Sequence, residues 1–453
     1  MIKERNLIIV GKFVWELDVK YAGETRISKI AKIIQAMARK NATHHIISDP
    51  EDIAWTLNLR GNDEEYCPVF LAYLSVDKEQ VTLFAKRKDF SAKLIATLLA
   101  DKIIFRDYEE IDDYAKELRQ GSKDNSSIKV LLDTTKTSEA LLTMLGTDVV
   151  IIDEDNPATL LKAIKNEIEI ANMRQAYIKD GVAVTKLLYW LCENVGHQAI
   201  TEFRVADKIV ELRQQNEDYL GESFPPIVGY QEHGVIIHYS ATDKTNASIR
   251  SEGMLLIDIG GHYLCGTTDT TRTISLSQPT AQQKKHYTAI LKGNINLAMR
   301  KFSQRTFGIE LDAIARRPIQ ALGLDYKHGT GHGVGYLLNV HEGPQVITTK
   351  GKGASEVAFK AGMIMSNEPG VYLPGEYGIR LENVMLCKEA KDQLLEFETL
   401  TQVPFDISLI DAGELTKAEK QYLNKYHEEV YQTLLPYLSQ EEGKWLATIT
   451  AKV

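Results

Sequence analysis

Residues 328–344 read HGTGHGVGYLLNVHEGP, with three histidines and four glycines in the first fourteen positions. Seven of the eleven histidines lie between His233 and His341, which concentrates imidazole in about a quarter of the chain. Two acidic segments bracket the HGTGHGVG run. MLLIDIGGHYLCGTTDTTRTI carries Asp258 and Asp269, and MIMSNEPGVYLPGEYGIRLENVML carries Glu368 and Glu382. A carboxylate among apolar strand residues is costly to bury unless it is paired or metal-bound. If these four acids meet His332, they form a hard, oxygen-rich set suited to manganese, cobalt or iron rather than to a thiolate-type zinc site. Four carboxylates exceed what one cation uses, which argues for two ions ~3.5–4 Å apart with carboxylates bridging them. Such a pair lowers the pKa of a bridging water from ~15.7 towards ~7 and stabilises the oxyanion formed when hydroxide attacks a carbonyl. Spacing alone leaves a second reading open, in which these are ordinary surface acids and structural histidines.

Other motif readings fail on the residues themselves. A dinucleotide fingerprint needs a third glycine where Val334 and Tyr336 stand. A phosphate loop fails because Gly351-Lys352 is followed by Gly353. His341-Glu342 could open a zincin motif, but Gln345 occupies the place of the second histidine.

Two hairpins would bring the acids together. Asp258 follows an apolar strand, and a turn at Gly260-Gly261 would return the chain to Asp269. Glu368 and Glu382 each follow a short apolar run, with a turn built on Pro374 and Gly375 between them. Upstream, strands are expected at 43–49, 69–76, 80–86, 102–108, 128–134 and 148–153, with helices at 91–100 and 108–118 and a short one within 133–146 closed by Gly146. This α/β domain of residues 1–156 contains no cluster of reactive groups, and Arg60 reads as a surface arginine. From Asn156 apolar residues recur at helical spacing, predicting one or two long helices broken near Gly181 at the start of a second domain, 157–453. Further helices are expected at 280–300 and 309–322, and Thr416 and Glu419 fit a capping box ahead of a helix in the tail from about 401.

Composition narrows the class. The chain has 453 residues, 44% hydrophobic and 25% charged, as in a soluble protein of two or three domains. No stretch approaches the ~20 apolar residues needed to span a bilayer, and the apolar run Leu7–Val10 is shorter than a signal-peptide core. A net charge of −9 argues against nucleic acid and acidic membranes as partners. Cys67, Cys192, Cys265 and Cys387 form no close pair and read as buried free thiols in a reducing cytosol.

In this order, D-x-G with TTDTTRT, HGTGHGVG, NVHEGP, NEPGVY and GIRLENV resemble the metallo-aminopeptidases of the pita-bread fold, and within them the Xaa-Pro aminopeptidase family. The likeness begins at WELDVKYAG, passes IAWTLNLRGND and YCPVF, and ends at LTKAEKQYLNKYH. It implies an α/β (α+β) architecture, with a creatinase-type N-terminal domain before the pita-bread domain. It also implies that the first of the three domains of longer members is absent from this sequence. By the resemblance Asp258 binds one metal, His332 and Glu368 bind the other, and Asp269 and Glu382 bridge both. Glu368 would also handle the proton of the attacking water, with His238 and His341 as catalytic histidines and His328 and Arg380 on the substrate. His233 and His262 match no functional position.

The implied reaction releases one N-terminal residue from peptides with proline in second position. It would use two divalent ions, manganese first with cobalt, iron or zinc as alternatives, in a cytoplasmic homodimer. Two rival readings remain: a prolidase restricted to Xaa-Pro dipeptides, and a non-catalytic peptide-binding protein on the same fold.

Overall fold

Short β-branched runs alternating with amphipathic helices build the first of two compact units, which meet between Glu169 and Ile170. The computed structural model describes residues 13–124, 128–350 and 356–453. The Leu7–Val10 run and the Gly351-Lys352 stretch lie outside these residues. The six expected strands form one mixed sheet, in the spatial order Ile103–Asp107, Val81–Ala85, Ala72–Asp77, His44–Ile47, Lys129–Leu132, Val150–Asp153. On one face Ile46, Phe84, Val130 and Leu132 pack against Ile111, Ala115 and Leu118 of the helix Ile111–Asp124. The helix Ala92–Ala100 starts at Ser91, whose hydroxyl accepts from Leu94 N. The short helix is Glu139–Leu145, with Gly146 at its C-cap.

Three expectations for this part change. Arg60 is 2% exposed, and its guanidinium donates to the carbonyls of Ala54 and Leu59, so it is an internal brace and not a surface charge. The boundary expected at 156/157 moves to 169/170 because Asn156 is bonded into the first unit. Its Nδ2 donates to Asp52 Oδ2 at 2.7 Å, its Oδ1 lies 2.8 Å from His45 Nε2, and it caps the helix Pro157–Ala163. The break expected at Gly181 does not occur, and the helix Glu167–Asn194 runs through it. A Cβ at Gly181 would stand 2.4 Å from the Gln402 carbonyl oxygen, so this glycine permits close packing within a continuous helix.

Two main sheets carry the second unit. Ile227–Tyr230, Met254–Ile259 and Thr270–Ser275 form an antiparallel trio with Met254–Ile259 in the centre. The other sheet runs Phe302–Ser303, Leu394–Thr399, Asn383–Glu389, Ile364–Asn367, Gly331–Gly333, Glu342–Ile347. Leu187, Leu191, Val205 and Ile209 pack on Val228, Leu255 and Ile257 of the trio. Tyr287, Ile290 and Leu291 join Ile319, Ile379, Leu423 and Val430 in another core. The expected helices are Ala281–Ala298 and Gly308–Gln320, and the Thr416/Glu419 capping box opens Lys417–Leu434.

The connection from Asp258 to Asp269 is not the simple Gly260-Gly261 turn expected. Met254–Ile259 and Thr270–Ser275 do pair, but the chain between them makes the strands Gly261–Tyr263 and Gly266–Thr267, which join Tyr219–Glu222 in a small separate sheet. Cys67, Cys265 and Cys387 are buried, whereas Cys192 is exposed, contrary to expectation. No helix among the described residues is long and apolar enough to cross a membrane.

Candidate metal centre

Strand pairing delivers the four acids. Asp258 stands in the central strand of the trio, opposite Ile227 on one side and Thr271 on the other. Asp269 directly precedes the partner strand Thr270–Ser275. Glu368 and Glu382 flank the hairpin formed by Gly370–Leu373 and Tyr377–Arg380, whose turn includes Gly375 at φ +75°. Asn367 and Asn383 are paired in the six-stranded sheet, which draws the two glutamates together. Glu382 also bridges the two sheets: its N–H donates to Thr271 O, and its Oε2 accepts from Thr271 Oγ1 at 2.8 Å.

His332 lies between these groups on the strand Gly331–Gly333. Its Nδ1 is 2.9 Å from the Gly333 carbonyl, which can only accept, so Nδ1 carries the hydrogen. Nε2 therefore faces the acids, 3.5 Å from Asp269 Oδ2 and 3.5 Å from Glu368 Oε1. One ligand atom each from Asp269, His332 and Glu382 lies within 4.8 Å of the others.

The electrostatics fit a cation. Burial pushes Asp269 and Glu382 well above the usual carboxylate range, and the neighbouring carboxylates push them further. Burial also raises Glu368, although His332 and Arg380 oppose the shift. The guanidinium facing the group is Arg380, whose Nη2 donates to Asp258 Oδ2 at 2.5 Å. Asp258 Oδ1 is buried without a hydrogen-bond partner. An orphaned carboxylate oxygen, a bare imidazole nitrogen aimed at two acids, and four acids against one guanidinium make a donor set that divalent ions would satisfy.

The remaining expected residues line the same place. Arg380 is 1% exposed, donates Nη1 to the Tyr372 hydroxyl at 2.8 Å, and reaches the Ile237 carbonyl with Nη2. His328 keeps its Nδ1 hydrogen on Gly329 O at 2.7 Å, so Nε2 accepts from the Tyr372 hydroxyl at 2.8 Å. Burial, with the Arg380 charge close by, holds His328 down at about 4. His341 stands edge-on to His332, ring centroids 4.3 Å apart. Although part of His341 reaches solvent, desolvation by the atoms packed round its ring lowers it to about 4, assisted by His332 and His238. His238 is exposed and lies within electrostatic reach of both His328 and His341.

Three other histidines of this region are structural, among them buried His286, whose Nδ1 lies 3.1 Å from the Tyr377 hydroxyl. His262 is buried with Nδ1 3.0 Å from Thr267 Oγ1, and His233 meets Glu202. Two residues escaped the sequence reading. Tyr372 links Arg380 to His328, and Tyr177 is buried near Asp269 and Glu382, its hydroxyl pushed well up by burial and then by those two charges. Tyr372 ends the NEPGVY motif and could have been flagged there, whereas Tyr177 sits in an ordinary helical pattern without a local signal. A cavity of about 280 Å³ between Leu188, Phe405 and Trp445 touches none of the site residues, so concavity alone would misplace the centre.

Fold and site together define a metallopeptidase, and the comparisons agree. The chain belongs to metallopeptidase family M24, whose model matches residues 171–389, preceded by a creatinase/prolidase N-terminal domain at 10–169 and followed by the C-terminal region of the family at 393–453. It is 37% identical over 447 residues to a probable Xaa-Pro aminopeptidase P of Pyrenophora teres, covering 95% of this chain and 68% of that protein. It is 36% identical to Xaa-Pro aminopeptidase 1 of Dictyostelium discoideum, covering 96% of this chain and 70% of that protein. Among solved structures it resembles the X-prolyl aminopeptidase of Caenorhabditis elegans, described as a cytosolic enzyme with a di-nuclear active site. That match has a TM-score of 0.92 at 31% identity and covers 100% of this chain and 74% of that one. The prolidase of Pyrococcus furiosus, at TM-score 0.62 and 22% identity over 81% of this chain and 98% of that one, shares the fold.

Proposed function

We propose that this chain is a metal-dependent Xaa-Pro aminopeptidase that releases the first residue of peptides with proline in second position. The observation that carries the reading is the enclosed surplus of acid: buried Asp258, Asp269 and Glu382 with half-buried Glu368 around His332, and one guanidinium against them. These five residues would hold two divalent ions, and the oxygen-rich donor set favours manganese. Bound there, such ions activate water at neutral pH and stabilise negative charge on the scissile carbonyl oxygen.

The chain's own groups do the rest. Glu368 Oε1 accepts from Ser366 Oγ at 3.3 Å, which orients the carboxylate to take a proton from water and pass it towards the leaving nitrogen. His238 and His341 hold or relay protons at the rim, His341 as an uncharged ring at neutral pH. Arg380 fixes Asp258 through Nη2, and its bond to Tyr372 sets the ring of His328, so Arg380 and His328 shape the wall against which a pyrrolidine ring lies. An Xaa-Pro bond has no N–H, so recognition must rest on ring shape and on the free amino end rather than on that donor. The chain works in the cytosol as a homodimer.

The test is a metal-by-substrate panel on Xaa-Pro peptides of increasing length. Manganese-loaded protein is expected to release the first residue from Xaa-Pro-Xaa peptides and to leave Xaa-Ala-Xaa peptides intact. Hydrolysis confined to Xaa-Pro dipeptides would make it a prolidase. No turnover with any loaded metal would make it a peptide-binding protein.

A further inference from the structure

One buried carboxylate, outside the metal cluster, holds the segment that carries His238. Glu202 is 1% exposed at the start of the helix Glu202–Arg213. Its Oε1 accepts from Tyr230 N at 2.9 Å and from His233 Nδ1 at 2.7 Å. Its Oε2 accepts from the Tyr239 hydroxyl at 2.9 Å and from Ala247 N at 2.9 Å. The backbone N–H of Glu202 adds a bond to Ala247 O. One side chain thus clamps both ends of residues 230–247 and two points between them. The chain leaves the strand Ile227–Tyr230 through Gln231, whose φ of +51° is a left-handed conformation that a side chain adopts only under constraint. The His233 and Tyr239 rings stack at 4.6 Å, closing the base of the loop. Its outer limb presents the Ile237 carbonyl to Arg380 and carries the next residue, His238, within electrostatic reach of His328 and His341.

We infer that Glu202 is a positioning residue of the peptidase site, holding His238 and the Ile237 carbonyl in register with Arg380. This rests on the reading that His238 serves the reaction. A carboxylate is needed because all four partners are donors. An amide of the same shape turns its NH₂ towards two of them, whichever way it faces. The cost falls on the loop rather than on the metal cluster, whose strands are bonded to one another independently of Glu202.

The experiment combines hydrogen exchange with a kinetic cycle on the manganese-loaded full chain. Glu202→Gln is expected to speed amide exchange within 230–247 about tenfold or more while 254–275 and 364–389 keep their protection. It is expected to retain both ions and to lose about 10²-fold in kcat/KM, the scale of an ångström-sized misplacement. In a His238→Ala background the same change is expected to cost less than about threefold, because contacts that act through one residue do not add. If Glu202→Gln does not fold, Tyr239→Phe deletes a single donor and should move exchange and kcat/KM in the same directions by less.

Unchanged exchange in 230–247, or equal losses in both backgrounds, overturns the inference. Full turnover by His238→Ala also overturns the route through His238 and leaves the aminopeptidase reading standing. Absence of turnover in the parent protein instead sinks that reading, and the exchange data still decide whether Glu202 holds the loop.

Discussion

The second unit buries two groups of carboxylates and completes them in opposite ways. Around Arg213, Asp180 and Glu222 share one guanidinium and two phenols. Arg213 Nε and Nη2 reach Asp180, Nη1 reaches Glu222 Oε2 and the Gly260 carbonyl, Tyr263 donates to Asp180 Oδ1, and Tyr219 donates to Glu222 Oε1. Every carboxylate oxygen there has a donor from the chain. Around His332, four acids face one arginine, and Asp258 Oδ1 has no donor. Burial penalises both groups, but only in the first do donors from the chain reach every carboxylate oxygen. A cluster satisfied from within is a structural knot, whereas one with a surplus of acid has the donor set that divalent ions would satisfy.

The largest expected effect tests that contrast in both directions. Asp269→Asn should lower kcat by about 10³-fold or more and weaken both metal sites, as measured by turnover and by metal content after dialysis. In chelator the same variant should melt above the parent protein, because it removes a like charge from a crowded group, whereas Asp180→Asn should melt below it. A fall in both would erase the distinction. Arg213→Met strips the satisfied cluster of its cation and should cost about 3–5 kcal/mol in denaturant unfolding, since two carboxylates are left buried against each other. For the acid-rich cluster the cation comes from solution, so manganese at a hundred times its Kd should stabilise the chelated parent by about 2.7 kcal/mol and Asp269→Asn by far less.

A buried base gives a smaller, pH-dependent control. His427 is fully buried and accepts from Phe405 N, and burial with the Arg272 charge nearby holds it down at about 3. Its folded pKa lies below the unfolded value near 6.5, so unfolding takes up a proton between these values. Its contribution is complete above pH 6.5 and is lost as pH falls through that value, by up to about 1.4 kcal/mol per unit. Replacement by Gln should flatten that acid limb in urea titrations. The smallest effect belongs to Arg204 and Glu211, an exposed ion pair, where Arg204→Ala should cost no more than about 1 kcal/mol and less in high salt.

What was legible in the sequence follows the range of the interactions. The β-branched runs of the first unit and the caps at Ser91 and Thr416 are encoded within a few residues, and they stand where periodicity and capping chemistry put them. The candidate centre was legible because its acids sit at or near strand ends in spaced motifs, and the structure brings all nine expected residues into one neighbourhood. The misreadings concern contacts made at a distance. Gly181 looked like a helix break because its reason, the Gln402 carbonyl, lies more than two hundred residues away. The turn at Gly260-Gly261 proved to be an excursion because Tyr219–Glu222 recruits it into another sheet. Asn156 is held by Asp52, 104 residues away, and Glu202 carries no motif of its own.

The bond from Thr271 to Glu382 joins positions 111 residues apart, and it links the two sheets that bear the acids. Closing so long a loop is entropically slow, so the acids are not assembled while the hairpins form locally. On a ribosome, Asp258 and Asp269 emerge well before Glu382, and the complete donor set exists only after the strand Asn383–Glu389 has been made and has docked. Ion capture would then come at the end of folding rather than at its start, and a chain interrupted before that strand would be unable to retain a metal pair.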